Sequence, residues 1–273
     1  MERGIATVRS LVDDRAKKID ALREAIAEVK KRVDEDGRAT RKTLREHRRG
    51  FHRRFRELQE GQAEPVAASS LVALNLPYPV AYGNWAIDPL MGAELVEAIE
   101  KRRPRVIIEL GSGVSSVLIA AALKKLKLSD VRHIIVDHEA RFLEETRRRV
   151  EMIEPVARTE FWHSPLANDA KFGTPWYTGV TERLGDTQID LMFVDGPPGS
   201  VAKKSRAPAL WNLKGSLGKD AVILLDDTNR ADEKGFVAAF CAEYPDVRVR
   251  IREAGKGSTQ LIVDGDVKEV AAR

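Results

Sequence analysis

The sequence predicts an α/β fold: a doubly wound, mostly parallel seven-stranded sheet, preceded by a helical, coiled-coil-like arm. Three observations predict it. From residue 89 onward, short apolar runs rich in Val and Ile alternate with helix-length amphipathic segments, as in a parallel sheet covered by helices. The run Ile189 to Val194 is almost wholly apolar, which suits a strand buried on both faces. Before residue 63 the pattern changes to a heptad rhythm without proline.

The arm comprises residues 1–62. Ile5, Val12, Ile19, Ile26 and Val33 occupy a-positions, and Val8, Arg15, Leu22 and Val29 occupy d-positions. β-Branched a-positions favour a parallel dimer, so residues 5–33 are expected to make a homo-oligomer. The flanking e and g positions include Arg9, Lys18, Arg23, Lys30 and Arg32 and no acid, which opposes pairing at low salt. Docking of the same helix on its own domain, or on a foreign partner, are the alternatives.

The arm is also where the charge lies. The whole chain is net +4, residues 1–62 are net +6, and the remainder is net −2. From Arg38 to Arg56 there are nine Lys/Arg and one acid, Glu46, with Leu44, Phe51, Phe55 and Leu58 on one helical face. Residues 38–56 therefore read as a surface for an anionic partner, lipid or nucleic acid, or as a solvated basic face. Nothing in the spacing resembles a zinc finger or a helix-turn-helix.

Residues 63–88 form a connector, marked by Pro65, Pro77 and Pro79, whose Tyr78, Tyr82 and Trp85 are expected to pack on the next domain. The domain proper is 89–273. A helix is expected over 89–101, then a strand at Val106–Ile108 and a helix from Val114 to Lys125. A second strand follows at Ile134–Val136, a helix over 139–152 and a third strand over 157–162. The fourth strand is Ile189–Val194 and the fifth Ala221–Leu225, followed by a helix over 231–243 and a closing pair at 247–252 and 259–263.

A single cysteine, Cys241, excludes an internal disulfide framework and a multi-cysteine zinc site. No apolar run approaches the roughly 20 residues of a transmembrane helix. Glu2, Asp13 and Asp14 break any signal-peptide core. The expectation is a cytoplasmic protein, with peripheral membrane contact through the basic arm as an option.

Four of the five parallel strands end at or just past an acid, where ligands sit on such sheets. Strand one runs into Glu109-Leu110-Gly111-Ser112-Gly113-Val114-Ser115-Ser116. Two glycines let the backbone turn tightly and approach a ligand, and the helix that follows offers free N–H groups. Glu109 would repel a phosphate and suits a cationic ligand group. Strand two ends at Asp137-His138-Glu139, where a carboxylate can accept from both hydroxyls of a ribose or cap the next helix. Strand three ends at His163-Ser164-Pro165-Leu166, placed to flank a nucleobase. Strand four ends at Asp195-Gly196-Pro197-Pro198-Gly199 and strand five at Asp226-Asp227. Three carboxylates converging there repel unless protonated, paired or bridged by a cation such as Mg²⁺. The alternatives are a helix cap by Asp227 and an ion pair between Asp226 and Arg230.

Taken together, these residues resemble the class I S-adenosylmethionine-dependent methyltransferases, over about residues 83 to 265. Gly83-Asn84-Trp85, the Glu109–Gly113 loop, Val194-Asp195-Gly196-Pro197-Pro198-Gly199 and Leu225-Asp226-Asp227 look like a bacterial subgroup associated with glycan or secondary-metabolite methylation. The resemblance implies a Rossmann-like methyltransferase sheet and S-adenosylmethionine as cofactor. It implies cofactor contacts from Glu109, Gly111, Ser112, Gly113, Ser115, Asp137, His138, Ser164 and Asp195, with Asp195 at the catalytic centre. Similarity to catechol-type O-methyltransferases further implies a divalent cation on Asp195, Asp226 and Asp227. Two positions depart from that pattern: Asp227 stands where those enzymes have Asn, and Pro198 where they have a lysine. The acceptor implied is the hydroxyl of a small molecule or glycan, and no general base is assigned. Trp176 and Tyr177 are expected in a loop over that acceptor. The rival expectation is a non-catalytic binding or assembly protein built on the arm, with a degenerate sheet domain.

Overall fold

The computed structural model describes residues 63–263, together with Glu28. The heptad seam and the basic stretch otherwise lie outside the described residues. The chain divides into two units, Met1–Gln59 and Glu60–Arg273.

The second unit begins with helix α1 (63–72), followed by α2 (Pro89–Arg102), β1 (Val106–Leu110), α3 (Val114–Lys125), β2 (Arg132–Asp137), α4 (Ala140–Glu151) and β3 (Arg158–His163). A short antiparallel hairpin, β4 (Leu166–Asn168) and β5 (Pro175–Tyr177), precedes α5 (Val180–Leu184), β6 (Ile189–Val194) and α6 (Ala207–Leu213). The chain then runs through β7 (Leu217–Asp226), α7 (Ala231–Glu243), β8 (Val247–Arg252) and β9 (Ser258–Val263). The main sheet has the order β3-β2-β1-β6-β7-β9-β8. Strands β3 to β7 in that order are parallel, and β9 joins β7 antiparallel and carries β8 with it. This is the expected doubly wound, Rossmann-like sheet.

Strand alternation explains how the sheet is covered. Ile107, Ile135, Leu191 and Phe193 face α2, α3 and α4, with Leu71, Leu74, Met91 and Leu95 in the same cluster. Ile108, Ile134, Met192 and Val194 face the other way, against α6, α7 and the β4–β5 hairpin. Helix α2 starts sharply because Asp88 accepts a 2.7 Å bond from Met91 N and Pro89 opens the first turn. Helix α4 buries a single stripe, Leu143, Thr146 and Val150.

Three features differ from the sequence expectation. Helix α1 occupies the first part of the expected connector, and the β4–β5 hairpin, α5 and α6 arise where no element was expected, because each of these is too short to show a period. Strand β7 begins four residues early, at Leu217, since Ile189 pairs with Leu217 before a register shift. Within 63–88, Tyr78 donates to Arg149 O at 2.5 Å, but Trp85 is 81% exposed rather than packed. No helix among the described residues is long and apolar enough to cross a membrane.

Candidate functional site

Strand order reverses between β1 and β6, so the loops leaving these strands diverge and open a crevice at their carboxyl ends. The two turns there pack backbone against backbone. Gly111 has φ 102°, and a Cβ on it would lie 3.1 Å from Gly196 N and 3.2 Å from the Asp195 carbonyl carbon. Gly113, at φ 151°, has open space where a side chain would stand. The glycines are thus required for closeness at one position and leave the turn uncovered at the other.

Glu109 holds this turn from beneath. Its side chain is wholly buried, with Oε1 2.5 Å from His133 Nε2. Oε2 accepts from Ser115 Oγ at 2.9 Å and Ser116 Oγ at 3.0 Å. Both carboxylate oxygens are therefore engaged inside the protein. Glu109 and Ser115, expected as cofactor contacts, thus have their side chains engaged with each other and with His133 inside the protein. The two side chains fasten the first turn of α3 to β2.

At the end of β2, Asp137 Oδ2 accepts from Ser112 N at 3.0 Å and Ser112 Oγ at 2.6 Å, and Oδ1 accepts from Glu139 N at 2.9 Å. The carboxylate ties the glycine turn to β2 and accepts the Glu139 N–H in the turn ahead of α4, whose N-cap, Glu139, makes no side-chain cap bond of its own. His138 Nδ1 lies 3.4 Å from Asp137 Oδ1, and its ring stands edge-on to Tyr177 at 6.2 Å between centroids. Ser164 N donates to Asp137 O at 2.8 Å, and its Oγ donates to Thr178 O at 2.6 Å, joining the end of β3 to the hairpin.

Tyr177 belongs to β5 and is buried, as is Trp176, so neither lies in an open loop. The Tyr177 hydroxyl points to the crevice: a Cβ on Gly196 would collide with it. It has no hydrogen-bond partner. Burial, then the charges of Asp137 and Asp195, push its pKa well above the ordinary phenol value, so it is a donor and not a base.

The three strand-end acids do converge. Asp195, Asp226 and Asp227 each offer an oxygen within 4.8 Å of the others. A buried arginine that sequence reading missed stands among them. Arg206 Nη2 lies 2.9 Å from Asp195 Oδ1 and 3.0 Å from Asp227 Oδ2, and Nη1 donates to Asp226 O at 3.0 Å. Arg230 pairs with Asp227, Nη2 to Oδ2 at 3.0 Å, and not with Asp226 as the sequence alternative had it. Asp227 itself adopts a left-handed φ of 61°. Both oxygens of Asp226 are buried without a partner. Burial raises the Asp226 carboxyl to about 8, with Asp195 and Asp227 adding repulsion. Asp195 is raised by burial to about 6, Arg206 opposing the shift and Asp227 adding to it. Arg206 escaped notice because it lies eleven residues past Asp195, in a stretch without periodicity. An arginine just ahead of Ala207-Pro208-Ala209-Leu210, an apolar helix start, was the available signal.

Residues 108–228 match the family model described as a methyltransferase domain. Among solved structures, an O-methyltransferase of Streptomyces achromogenes involved in tomaymycin synthesis, in complex with S-adenosylmethionine, is 21% identical. The match covers 74% of this chain and 90% of that one, with a TM-score of 0.50. A Bacillus cereus O-methyltransferase in complex with S-adenosylhomocysteine is 17% identical over 74% of this chain and 91% of that one, with a TM-score of 0.48. A Podospora anserina methyltransferase bound to S-adenosylhomocysteine is 16% identical over 71% and 86%, with a TM-score of 0.49. Comparison with curated proteins found no match.

Proposed function

We propose that this chain, which carries a methyltransferase domain over residues 108–228, transfers a methyl group from S-adenosylmethionine to a hydroxyl of a small-molecule or glycan acceptor. The observation that supports it is the meeting of the Gly111–Gly113 turn, Asp137 and Asp195 at the point where strand order reverses. The residues fit such a cofactor: the turn is uncovered at Gly113, and the orphaned Tyr177 hydroxyl faces the same crevice.

When bound, S-adenosylmethionine supplies a methyl group on a positively charged sulfur. Asp137 accepts from the ribose, taking over from the Ser112 hydroxyl. His138 and Ser164 flank the nucleobase side. Glu109 and Ser115 act indirectly, by fixing the turn. Asp195 takes the acceptor's proton: Arg206 holds Oδ1, so Oδ2 faces the hydroxyl, and a carboxyl near 6 is matched to proton uptake at neutral pH. The rate gain comes mainly from alignment, which holds the acceptor oxygen in line with the methyl.

The cation implied by the catechol-type resemblance does not fit. Hard oxygen donors suit Mg²⁺, but the place between Asp195 and Asp227 is held by Arg206.

For the arm, we propose self-association through residues 5–33 and contact with an anionic surface through residues 38–56, on the sequence pattern alone. Co-sedimentation with phosphatidylserine vesicles tests the second.

The enzyme reading is tested by calorimetric titration with S-adenosylhomocysteine, followed by transfer of labelled methyl to phenols, sugars and lipid-linked glycans. Saturable binding and labelling of one acceptor class are expected. Absence of binding at millimolar concentration overturns it and favours the assembly protein.

A further inference from the structure

We infer that Arg206 is the resident cation of the carboxylate cluster, and that the site works without a divalent metal ion. The inference rests on the methyltransferase reading only for what the cluster then does to an acceptor.

The geometry is that of a replacement. One nitrogen, Nη2, lies 2.9 Å from Asp195 Oδ1 and 3.0 Å from Asp227 Oδ2, so it bridges carboxylates from the ends of two neighbouring strands. Nη1 is fixed to Asp226 O at 3.0 Å. The planar guanidinium satisfies these three acceptors in one orientation, and its charge is permanent. Its side chain is only 4% exposed, and it enters from the start of α6, where Ala207, Pro208, Ala209 and Leu210 are all buried. Swinging it away means unpacking that helix start.

A metal ion added beside it would meet a fixed positive charge a few ångströms away, in a region where water screens poorly. The charge count points the same way. Arg206 and Arg230 face Asp227, and Arg206 also faces Asp195, so those two acids are already compensated. Asp226 alone has no partner for its carboxylate. Two arginines thus stand among three acids, and one acid is left without a side-chain partner.

The consequence for the proposed reaction is specific. Arg206 orients Asp195 and leaves it one oxygen for the acceptor's proton. It is a positioning residue and does not itself bind the acceptor oxygen as a metal does.

The test is Mn²⁺ titration of the full-length protein followed by electron paramagnetic resonance. Wild type is expected to bind no Mn²⁺ below millimolar concentration. Arg206→Met, which vacates the bridging position, is expected to bind at least about tenfold tighter, and Arg206→Met/Asp195→Asn to lose that gain. Tight Mn²⁺ binding by wild type, or no gain in Arg206→Met, overturns the inference. If Arg206→Met does not fold, wild type still decides, with S-adenosylhomocysteine affinity as a second readout. Unchanged affinity in EDTA supports the inference, and a tenfold fall reversed by Mn²⁺ overturns it. Failure of S-adenosylhomocysteine to bind at all removes the enzyme reading, while the Mn²⁺ result still judges Arg206.

Discussion

Glu109 of β1 and His133 of β2 meet in the interior, Oε1 and Nε2 2.5 Å apart, with both side chains wholly excluded from solvent. The pair lies directly under the glycine turn. His133→Ala leaves Glu109 with only the two serine hydroxyls and opens a cavity. It is expected to cost about 3 kcal/mol, because a buried acid loses its main partner. Urea unfolding measures this. A loss below half that value would mean that water or a shifted Ser116 replaces the histidine.

Asp137→Ala removes the acceptor of the Ser112 backbone and side-chain bonds as well as the proposed ribose contact. S-Adenosylhomocysteine affinity should fall by roughly 2–3 kcal/mol. Titration calorimetry checks it, alongside unfolding to separate affinity from stability. Wild-type affinity in a folded variant would remove the ribose role and leave Asp137 as a turn cap.

Asp226 makes stability depend on pH. Its carboxyl is raised by burial to about 8 in the fold, whereas in the unfolded chain it titrates near 4. Between those values the native state keeps a proton that the unfolded state has released. Stability is therefore fullest at the acid end of the window, falls as pH rises toward 8, and levels off beyond. Asp195, raised to about 6, adds a fall of the same sign over the lower part. Asp226→Asn should flatten the slope and be more stable than wild type above pH 8, by at least about 1 kcal/mol. Parallel pH profiles for the two proteins would show that the charge is compensated by a group not facing it here.

What the sequence made legible followed periodicity and strand ends. Ile189–Val194 and Val114–Lys125 were delimited to the residue, because a fully apolar strand and a helix beginning after Gly113 both have abrupt edges. Asp137, Asp195, Asp226 and Asp227 are legible as a group because the carboxyl ends of parallel strands lie together along one edge of the sheet. The directions of side chains were not legible. Glu109 reads as a ligand contact from its place before the glycines, yet His133, two positions from its register partner Ile135, turns it inward. Arg206 is missed for the opposite reason: it reaches the carboxylates from the start of a short helix with no period of its own, and Tyr177, expected in a loop, stands on a three-residue strand.

Tyr177→Phe deletes a buried hydroxyl that has no partner. Removing an unsatisfied polar group should leave the unliganded protein as stable as wild type or stabilise it by about 1 kcal/mol. The same change should weaken S-adenosylhomocysteine binding severalfold, since the hydroxyl faces the crevice beside Gly196. Stability and affinity thus move in opposite directions, and a joint fall in both would make Tyr177 a packing residue alone.

The heptad seam should make the full-length protein an oligomer, most simply a dimer. Ile5, Val8, Val12, Ile19, Leu22, Ile26, Val29 and Val33 would otherwise offer their side chains to water. Burying one such side chain contributes about 1.5–3 kcal/mol, while an exposed like-charge contact among Arg9, Lys18, Arg23, Lys30 and Arg32 costs only about 0.2–0.5 kcal/mol. The seam outweighs its basic flanks, and more so as salt screens them. Sedimentation equilibrium of the full chain should therefore show association that strengthens from low to high salt. Ile19→Asp/Ile26→Asp, which places four carboxylates in a dimer seam, should return it to monomer while leaving S-adenosylhomocysteine binding intact. A wild-type monomer at both salt concentrations would mean that the helix packs on its own chain and the self-association is wrong.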